Sequence, residues 1–454
     1  MSVVLRHAPP PTVEVPLARP QLPAAAYEDR MDRLYAAAAC DWVVVYGDRE
    51  HAANLAFCCG FDPRFEEALL LLGPAGRRTL VVGNEGLGYT PLAGAALEIA
   101  LAQSLSLMGQ ARDTTPDLAR VLAVAGIAAG ARVGVVGWKY YEAAEIDDPT
   151  QPAFVPAFVL YALRRVIGSG GTLHDLTRLL MHPVSGLKSH NTAAQIAQSE
   201  WGAARSAAAV LRIVAGARPG MHEYETASLM EYAGEPLICH AMLASGSGPV
   251  IGLRSPTARV LQHGDGITTA IGYWGGLCCR AGLLRETPEP VFHEQYVVPY
   301  FRTLAAWWSQ LRIGMSGGDI DALVRTTLAD APFKPALNPG HLIALDEWTH
   351  TPIRPGSNEN LASGMILQCD IIPAPMPDGW VLNCEDSVAL ADASLRADIA
   401  AGYPQLWQRI EARRNWMHAA LGISLADEVL PLSVAPAGLA PYWLMPDLRC
   451  AIET

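Results

Sequence analysis

Positive charge is scarce in this sequence. Its 33 lysine and arginine residues are outnumbered by 45 aspartate and glutamate residues, which gives a formal net charge of −12. Binding to nucleic acid or to an anionic membrane surface requires clustered basic side chains, so we expect neither as a partner. No uninterrupted apolar run reaches about 18 residues, and we therefore predict no membrane span. Residues 1–26 lack the apolar core of a signal peptide, so we expect a cytoplasmic protein.

Paired cysteine motifs are also missing. The nine cysteines, an odd number, include no C-x-x-C pair, which argues against a zinc finger and against a disulfide framework. We expect reduced thiols. Cys278 and Cys279 adjoin Arg280, whose charge favours a thiolate, so one of them could be a nucleophile. Only one could serve, because successive residues of a strand point to opposite faces, and a buried, inert cysteine is the commoner situation.

What is present is the composition of a large folded chain. Hydrophobic residues make up 51% of the 454 residues and charged residues only 17%, which suits two domains of ordinary size. In residues 27–167 the runs "WVVVYG", "EALLLLG", "RTLVVGN" and "RVGVVGW" alternate with helical segments such as "TPDLARVLAVAGIA". This alternation predicts an α/β N-terminal domain with a mostly parallel or mixed sheet covered by helices. The proline-rich residues 1–26 should form an N-terminal arm.

A different pattern occupies residues 175–395. It opens with two helical segments, "NTAAQIAQSEWGAARSAAAVLRIVAG" and "HEYETASLMEYAG", the first of which carries small residues that allow close packing. Strand-rich runs then dominate, among them "GDGITTAIGYWGGLCCRAG", "GMILQCDII" and "WVLNCEDSVAL". We predict a second, α+β domain here. Residues 396–454 should add a helix and a proline-rich C-terminal arm.

Several short motifs follow one another along the chain, and their order is informative. They are "ARPGMHEYE", "SPTARVLQHGD", "NPGHLIALD", "LASGMIL" and "NCEDSVAL". Together the chain resembles the creatinase, prolidase and aminopeptidase P (M24) family over roughly residues 27–395. The resemblance implies a pita-bread fold, with helices on an antiparallel sheet, in the second domain. It also implies a homodimer in which the N-terminal domain of one chain lies near the cleft of the other.

The family resemblance singles out three residues as the remains of a metal site. Peptidase members bind two divalent metals through two aspartates, one histidine and two glutamates. His341 matches the histidine of the motif "GH", Asp370 stands where the family has the first glutamate, and Glu385 matches the last. One ion held by these three would be chemically possible, because an imidazole with two carboxylates suits zinc, manganese or iron.

The upstream half of that site is missing. The first aspartate position falls at Ala270, and the second falls at Arg280 or, with the gap placed differently, at Cys279. Two divalent ions need about four carboxylates to balance their charge, and here only two remain. We therefore predict no two-metal site and no cofactor.

Creatinase itself works without metals, through a histidine near the cleft. At that position this chain reads "GLRSP", which places Arg254 where the histidine would stand. An arginine does not shuttle protons at neutral pH, but it suits the binding of an anionic group. The hypothesis is a metal-independent, creatinase-like hydrolase of a C–N bond in a small zwitterionic substrate. Its anionic group would lie on Arg254 or Arg280, its nitrogen would face the two retained carboxylates, and His341 or His240 would move the proton.

Other assignments stay open at this stage. Trp274 could wall the substrate pocket or fill a core, and His350, in "WTH", stands where peptidase members contact substrate. The neighbouring Thr349 and Thr351 replace the glutamate expected there, which weakens a peptidase interpretation. The two retained carboxylates could instead form internal ion pairs with the arginines. The alternative functions are a non-catalytic binder of a peptide or protein and a mononuclear metal-dependent Xaa-Pro peptidase relative.

Overall fold

The computed structural model describes residues 2–453, which form two compact units. One comprises residues 22–189, and the other comprises residues up to 21 together with those from 190 onward. The first unit is longer at both ends than the range 27–167 expected from the sequence. None of the helices in residues 2–453 is long and apolar enough to cross a membrane.

The secondary structure is numbered here in chain order. The helices are α1 (Ala24–Ala38), α2 (Ala53–Cys59), α3 (Gly86–Tyr89), α4 (Leu118–Ala125), α5 (Ala157–Ile167), α6 (Arg178–Met181), α7 (Ala193–Gly216), α8 (Glu223–Ser228), α9 (Pro290–Phe292), α10 (Val298–Gln310), α11 (Gly317–Thr327), α12 (Ala393–Gly402) and α13 (Pro404–Leu421). The strands are β1 (Ser2–His7), β2 (Trp42–Gly47), β3 (Ala68–Gly73), β4 (Arg77–Val82), β5 (Glu98–Leu101), β6 (Arg132–Val136), β7 (Thr172–Asp175), β8 (Leu237–Gly246), β9 (Gly266–Tyr273), β10 (Gly276–Leu283), β11 (Lys334–Pro335), β12 (His341–Leu342), β13 (Ile366–Cys369), β14 (Pro373–Ala374), β15 (Asn383–Leu390), β16 (Val429–Pro431) and β17 (Leu448–Glu453).

The unit of residues 22–189 is built on a six-stranded mixed sheet. Its strand order is β5-β4-β3-β2-β6-β7, with β3 antiparallel to both neighbours and the remaining pairs parallel. The central strands β2 and β3 are buried along their whole length, which explains their continuous runs of valine and leucine. The sheet is the mixed sheet that the alternating sequence pattern predicts.

The other unit is built on a seven-stranded antiparallel sheet. Its order is β12-β13-β15-β10-β9-β8. β16 pairs with residues 388–390 of β15, beyond the part of that strand that pairs with β10. Helix α7 begins at a capping box formed by Thr192 and Gln195 and packs across β9 and β10. A Cβ atom built on Gly202 would lie 2.5 Å from the carbonyl oxygen of Trp274, so only glycine permits this approach. The small-residue run in the sequence therefore serves close helix–sheet packing.

The two ends of the chain are parts of this second unit. β1 pairs antiparallel with β17, from Ser2 opposite Glu453 to His7 opposite Leu448. The following segment lies along α7, where the Trp201 side chain donates a hydrogen bond to the carbonyl oxygen of Leu17. Residues 429–443 are buried, so most of the expected C-terminal arm is core. The hydrophobic side chains of this stretch account for its burial.

Candidate active site

Three strands of the antiparallel sheet bring His341, Asp370 and Glu385 together. His341 opens β12, Asp370 directly follows β13, and Glu385 lies in β15 between them and β10. All three side chains are buried, and one ligand atom from each lies within 4.8 Å of the other two. The residues that the sequence motifs single out therefore form one spatial cluster. We call these three residues, together with the neighbouring Glu347, the acidic cluster.

Glu347 joins the cluster through His341. The Nε2 atom of His341 lies 3.2 Å from Oε1 of Glu347 and 3.7 Å from Oε1 of Glu385. Burial alone would lower the pKa of His341, but these two carboxylates outweigh it and raise the pKa to about 10. At neutral pH the imidazole is therefore a cation among carboxylates.

The His341 ring is held from two further directions. Its Nδ1 atom lies 3.2 Å from the carbonyl oxygen of Leu342, which fixes Nδ1 as the donor and turns Nε2 toward the carboxylates. The indole of Trp348 stacks on the ring at 4.2 Å between centroids, with 16° between planes. The ring orientation is thus set by packing and by a backbone hydrogen bond.

The two retained carboxylates behave as a coupled pair. Burial, and then the nearby charge of Glu385, raise the pKa of Asp370 well above its usual range. Burial also raises the pKa of Glu385, against the nearby His341 imidazole and the hydrogen bond from Gln368, whose amide donates to Oε1 over 3.1 Å. Two adjacent buried carboxyl groups do not both ionise readily, so Asp370 and Glu385 titrate as a pair.

The strand register decides which residue stands at the second upstream position. Cys279 lies directly opposite Ala270 on β9 and Glu385 on β15, so these three side chains share one face of the sheet. Ala270 and Cys279 are therefore the residues that face the cluster. Burial, and then the charge of Glu385, raise the pKa of the Cys279 thiol well above its usual range. The cysteine is a thiol, which argues against a nucleophilic role.

Arg280 points to the opposite face, and the expectation that it binds substrate is wrong. Its guanidinium makes two 2.9 Å hydrogen bonds to the carboxylate of Asp386 and donates to three backbone carbonyls, of Cys279, Glu385 and Ala435. Side-chain exposure is 2% for Arg280 and 0% for Asp386. The alternation of side chains along β10 causes this, because a shift of one residue reverses the face.

Arg254 is also engaged by a carboxylate other than those of the cluster. Its two terminal nitrogens donate to the Glu223 carboxylate at 3.0 and 2.8 Å. Burial opposes ionisation of Glu223, but Arg254, Thr257 and Ser245 hydrogen bonds lower its pKa to about 2. The structure therefore contradicts the assignment of Arg254 as a substrate anchor, since its charge is already neutralised.

The remaining sequence candidates fall outside the acidic cluster. His240 is exposed on the cleft wall, with Nε2 3.1 Å from the carbonyl oxygen of Leu253, in an irregular part of β8 that breaks strand alternation. Trp274 lies under the guanidinium of Arg19, at 5.1 Å, and is absent from the described cleft lining. His350 accepts a hydrogen bond from the Thr351 N–H and is likewise not among the residues that line the cleft. The structure therefore does not bring Trp274 or His350 to the wall of this cleft.

A large cleft opens above the cluster. Its volume is about 970 Å³, and Asp370, Glu385 and Glu347 line it together with Cys279 and Ala270. The rest of the wall is mostly apolar, including Trp348, Trp380, Met376, Leu253 and Ile251. Sequence reasoning missed Glu347 and Trp380. Glu347 follows the "GH" motif by only six residues, so a search for further carboxylates near that motif would have found it.

The donor set fits one metal ion and does not fit two. Two ions need bridging carboxylates, and the upstream positions hold Ala270 and Cys279. One ion could be held by His341, Asp370 and Glu385, since their ligand atoms lie within 4.8 Å of one another and an imidazole with two carboxylates suits a divalent metal. Asp370 Oδ1 and His341 Nε2 are buried and lack a hydrogen-bond partner of acceptable geometry among residues 2–453. Asp370 Oδ1 is therefore available to a bound group, whereas His341 Nε2 lies 3.2 Å from the Glu347 carboxylate.

These two units together define the fold class of the protein. An α/β unit followed by an α+β unit with a long helix on an antiparallel sheet is the pita-bread architecture of prolidases and aminopeptidases P. The fold expected from the sequence is confirmed.

Solved structures give the particular likenesses. A prolidase from Thermococcus sibiricus is 14% identical, with a TM-score of 0.65, over 91% of this chain and 97% of that one. A dipeptidase from Mycobacterium ulcerans is 21% identical, with a TM-score of 0.60, over 82% and 95%. An Xaa-Pro dipeptidase from Bacillus anthracis is 16% identical, with a TM-score of 0.60, over 81% and 96%. No protein-family model and no curated protein sequence matches the chain.

Proposed function

We propose that this protein is a hydrolase that cleaves a C–N bond of a small nitrogen-containing substrate, without a paired-metal centre. The observation that carries the proposal is the convergence of His341, Asp370 and Glu385 within 4.8 Å at the base of a cleft of about 970 Å³. Buried, mutually perturbed titratable groups in a cleft are typical of catalytic sites. The fold shared with prolidases and dipeptidases supports the same reaction class.

The acidic cluster supplies an acid and a base at separate atoms. His341 is protonated at neutral pH and carries its Nε2 proton toward Glu347 and Glu385, so it can donate that proton to a leaving nitrogen. Asp370 Oδ1 has no hydrogen-bond partner among the described residues and can accept a proton from an attacking water. Burial raises the pKa of Asp370, which makes its carboxylate a stronger base. A reacting carbon above the cluster would lie between the two groups.

A single divalent ion gives a second candidate, a mononuclear metal-dependent hydrolase. The 4.8 Å grouping of three donors and the unpartnered buried Oδ1 atom of Asp370 favour it. His341, Asp370 and Glu385 would hold the ion, and bound metal of this kind polarises a carbonyl and lowers the pKa of a bound water. Two ions per chain are not proposed, because Ala270 and Cys279 supply no bridging carboxylate.

The test is hydrolysis of a panel of amides, dipeptides with and without proline, and guanidino compounds. We expect turnover of at least one amide or guanidino compound, retained after dialysis against a chelator, with substoichiometric metal by mass spectrometry. His341→Ala and Asp370→Asn should lower kcat by about 10²–10⁴-fold, because each removes a proton-transfer group. The control is Asp398→Asn on the exposed surface of α12, which should leave kcat unchanged.

Each other outcome has a defined meaning. One tightly bound ion per chain, with activity lost on chelation and restored by metal, would replace the metal-independent proposal by the mononuclear one. No turnover of any panel member, with or without added divalent metal, would reject both.

A further inference from the structure

The cleft is unusual in the sign of its charge. Its lining contains four acidic residues, Glu347, Asp370, Asp378 and Glu385, and no lysine or arginine among the described residues. The cation that faces the cluster is the imidazole of His341, which is itself shared by two of the carboxylates. A ligand that enters the cleft therefore meets mainly acidic side chains, which favours a cationic ligand.

One polar atom at the base of the cleft points to a ligand. Asp370 is only 5% exposed, lines the cleft, and has an Oδ1 atom without a hydrogen-bond partner in the described part of the chain. Leaving a buried carboxylate oxygen unpaired carries a desolvation penalty, so a donor from the ligand would be strongly favoured there. A protonated nitrogen supplies both the donor and the opposite charge.

The walls above these carboxylates are apolar and continue to the rim. Trp348 and Trp380 form part of the interior, and Leu253, Ile251 and Leu337 line the mouth while remaining 76%, 65% and 54% exposed. Large apolar side chains that stay exposed around a cleft indicate a surface covered when the ligand binds. A ligand that covers them needs a hydrocarbon body of several carbons beside its charged end.

The cleft offers no matching site for a carboxylate. Arg254 is bound to Glu223 by both ends of its guanidinium, and Arg280 is bound to Asp386 on the far face of the sheet. A carboxylate in the cleft would meet four acidic side chains without a free arginine, which costs affinity through like-charge repulsion and desolvation. The zwitterionic substrate expected from the sequence is therefore disfavoured.

We infer that the cleft binds a protonated amine carried on a hydrophobic body and discriminates against ligands that also carry a carboxylate. The inference rests on the proposed function in that it names the substrate class for the same site: hydrophobic compounds that carry a protonated amine or guanidinium group and no free acid group. The protonated nitrogen lies among Glu347, Asp370 and Glu385, and the hydrocarbon body lies against Trp348 and the apolar rim.

Three ligands that share one phenylethyl body separate the contributions of charge. Phenethylamine is a cation, phenylalanine adds a carboxylate to it, and 3-phenylpropionate is an anion. Isothermal titration calorimetry of the full-length protein should give the tightest binding for phenethylamine, about tenfold or more weaker binding for phenylalanine, and none for 3-phenylpropionate. Equal or tighter binding of phenylalanine, or failure of phenethylamine to bind at millimolar concentration, would overturn the inference.

Substitutions in and around the cleft test which residues determine the affinity for the amine. Glu347→Gln keeps the shape of a partly exposed side chain and should weaken phenethylamine by about tenfold, because one charge-assisted contact is lost. The matched control Asp398→Asn removes the same charge from the surface of α12 and should leave the affinity unchanged. Leu253→Arg places a cation at the exposed rim and should strengthen 3-phenylpropionate relative to phenethylamine. Equal weakening by the Glu347 and Asp398 variants would show a general charge effect and contradict the assignment.

The binding experiment and the turnover experiment test the two proposals independently. If phenethylamine binds best but no amide of the panel is hydrolysed, the ligand class stands and the hydrolase proposal is rejected. If hydrolysis occurs but prefers free-acid substrates over their amides, the hydrolase proposal stands and the ligand class is rejected.

Discussion

Replacement of Arg280 by methionine should destabilise the protein strongly while leaving the cleft intact. Methionine preserves much of the length of the arginine side chain and removes its charge. Asp386 is 0% exposed and would then keep the Ala437 N–H at 2.9 Å, with weak contacts from the thiols of Cys278 and Cys384. Its charge would be buried without a cation.

The magnitude follows from the burial of the pair. Breaking a buried ion pair by removing one partner costs about 3–5 kcal/mol of unfolding free energy, whereas an exposed pair contributes about 0–1 kcal/mol. With side-chain exposures of 2% and 0%, the Arg280–Asp386 pair belongs to the first group. The double variant Arg280→Met, Asp386→Leu removes both charges and should recover a large part of the loss.

Urea denaturation followed by intrinsic fluorescence measures both effects. The control is Arg302→Met on the exposed side of α10, which should change the unfolding free energy by less than about 0.5 kcal/mol. A loss below about 1 kcal/mol for Arg280→Met, or a double variant as unstable as the sum of the single variants, would refute the reasoning. Folded Arg280→Met protein should bind phenethylamine as the parent does, and weaker binding would show that Arg280 reaches the cleft.

Three further predictions concern titration, metal binding and assembly. The pKa of His341 is raised from 6.5 to about 10, so the stability that its protonation contributes is complete below pH 6.5 and is lost as the pH rises through 10. Glu347→Gln should reduce this loss of stability, and thermal unfolding measured across this pH range tests it. Ala270→Asp combined with Cys279→Asp places two carboxylates on the face of Glu385 and should raise manganese stoichiometry to two ions per chain by calorimetry, and an unchanged stoichiometry would contradict the register argument. We also propose a homodimer, which light scattering at micromolar concentration should show; a clean monomer would reject it.

Much of the fold was predictable because its signals are local. The buried runs of β2 and β3, the capped start of α7 and the small residues on its packing face are each visible within one segment of sequence. The order of motifs likewise predicted the pita-bread architecture. The sequence predicted a proline-rich C-terminal arm but did not indicate that Tyr442 and Trp443 of this segment are buried in the core.

The candidate site was predictable only in part. The sequence by itself determined that His341, Asp370 and Glu385 are present and that upstream carboxylates are missing, since residue identity and motif order need no coordinates. Only the tertiary structure decided that Cys279 faces the cluster while Arg280 pairs with a carboxylate 106 residues away. The physical reason is that side chains alternate along a strand. A one-residue error in the alignment of a strand therefore moves a side chain from the face that lines the cleft to the opposite face. Charge partners such as Glu223 for Arg254 depend in the same way on register and packing, which no local pattern encodes.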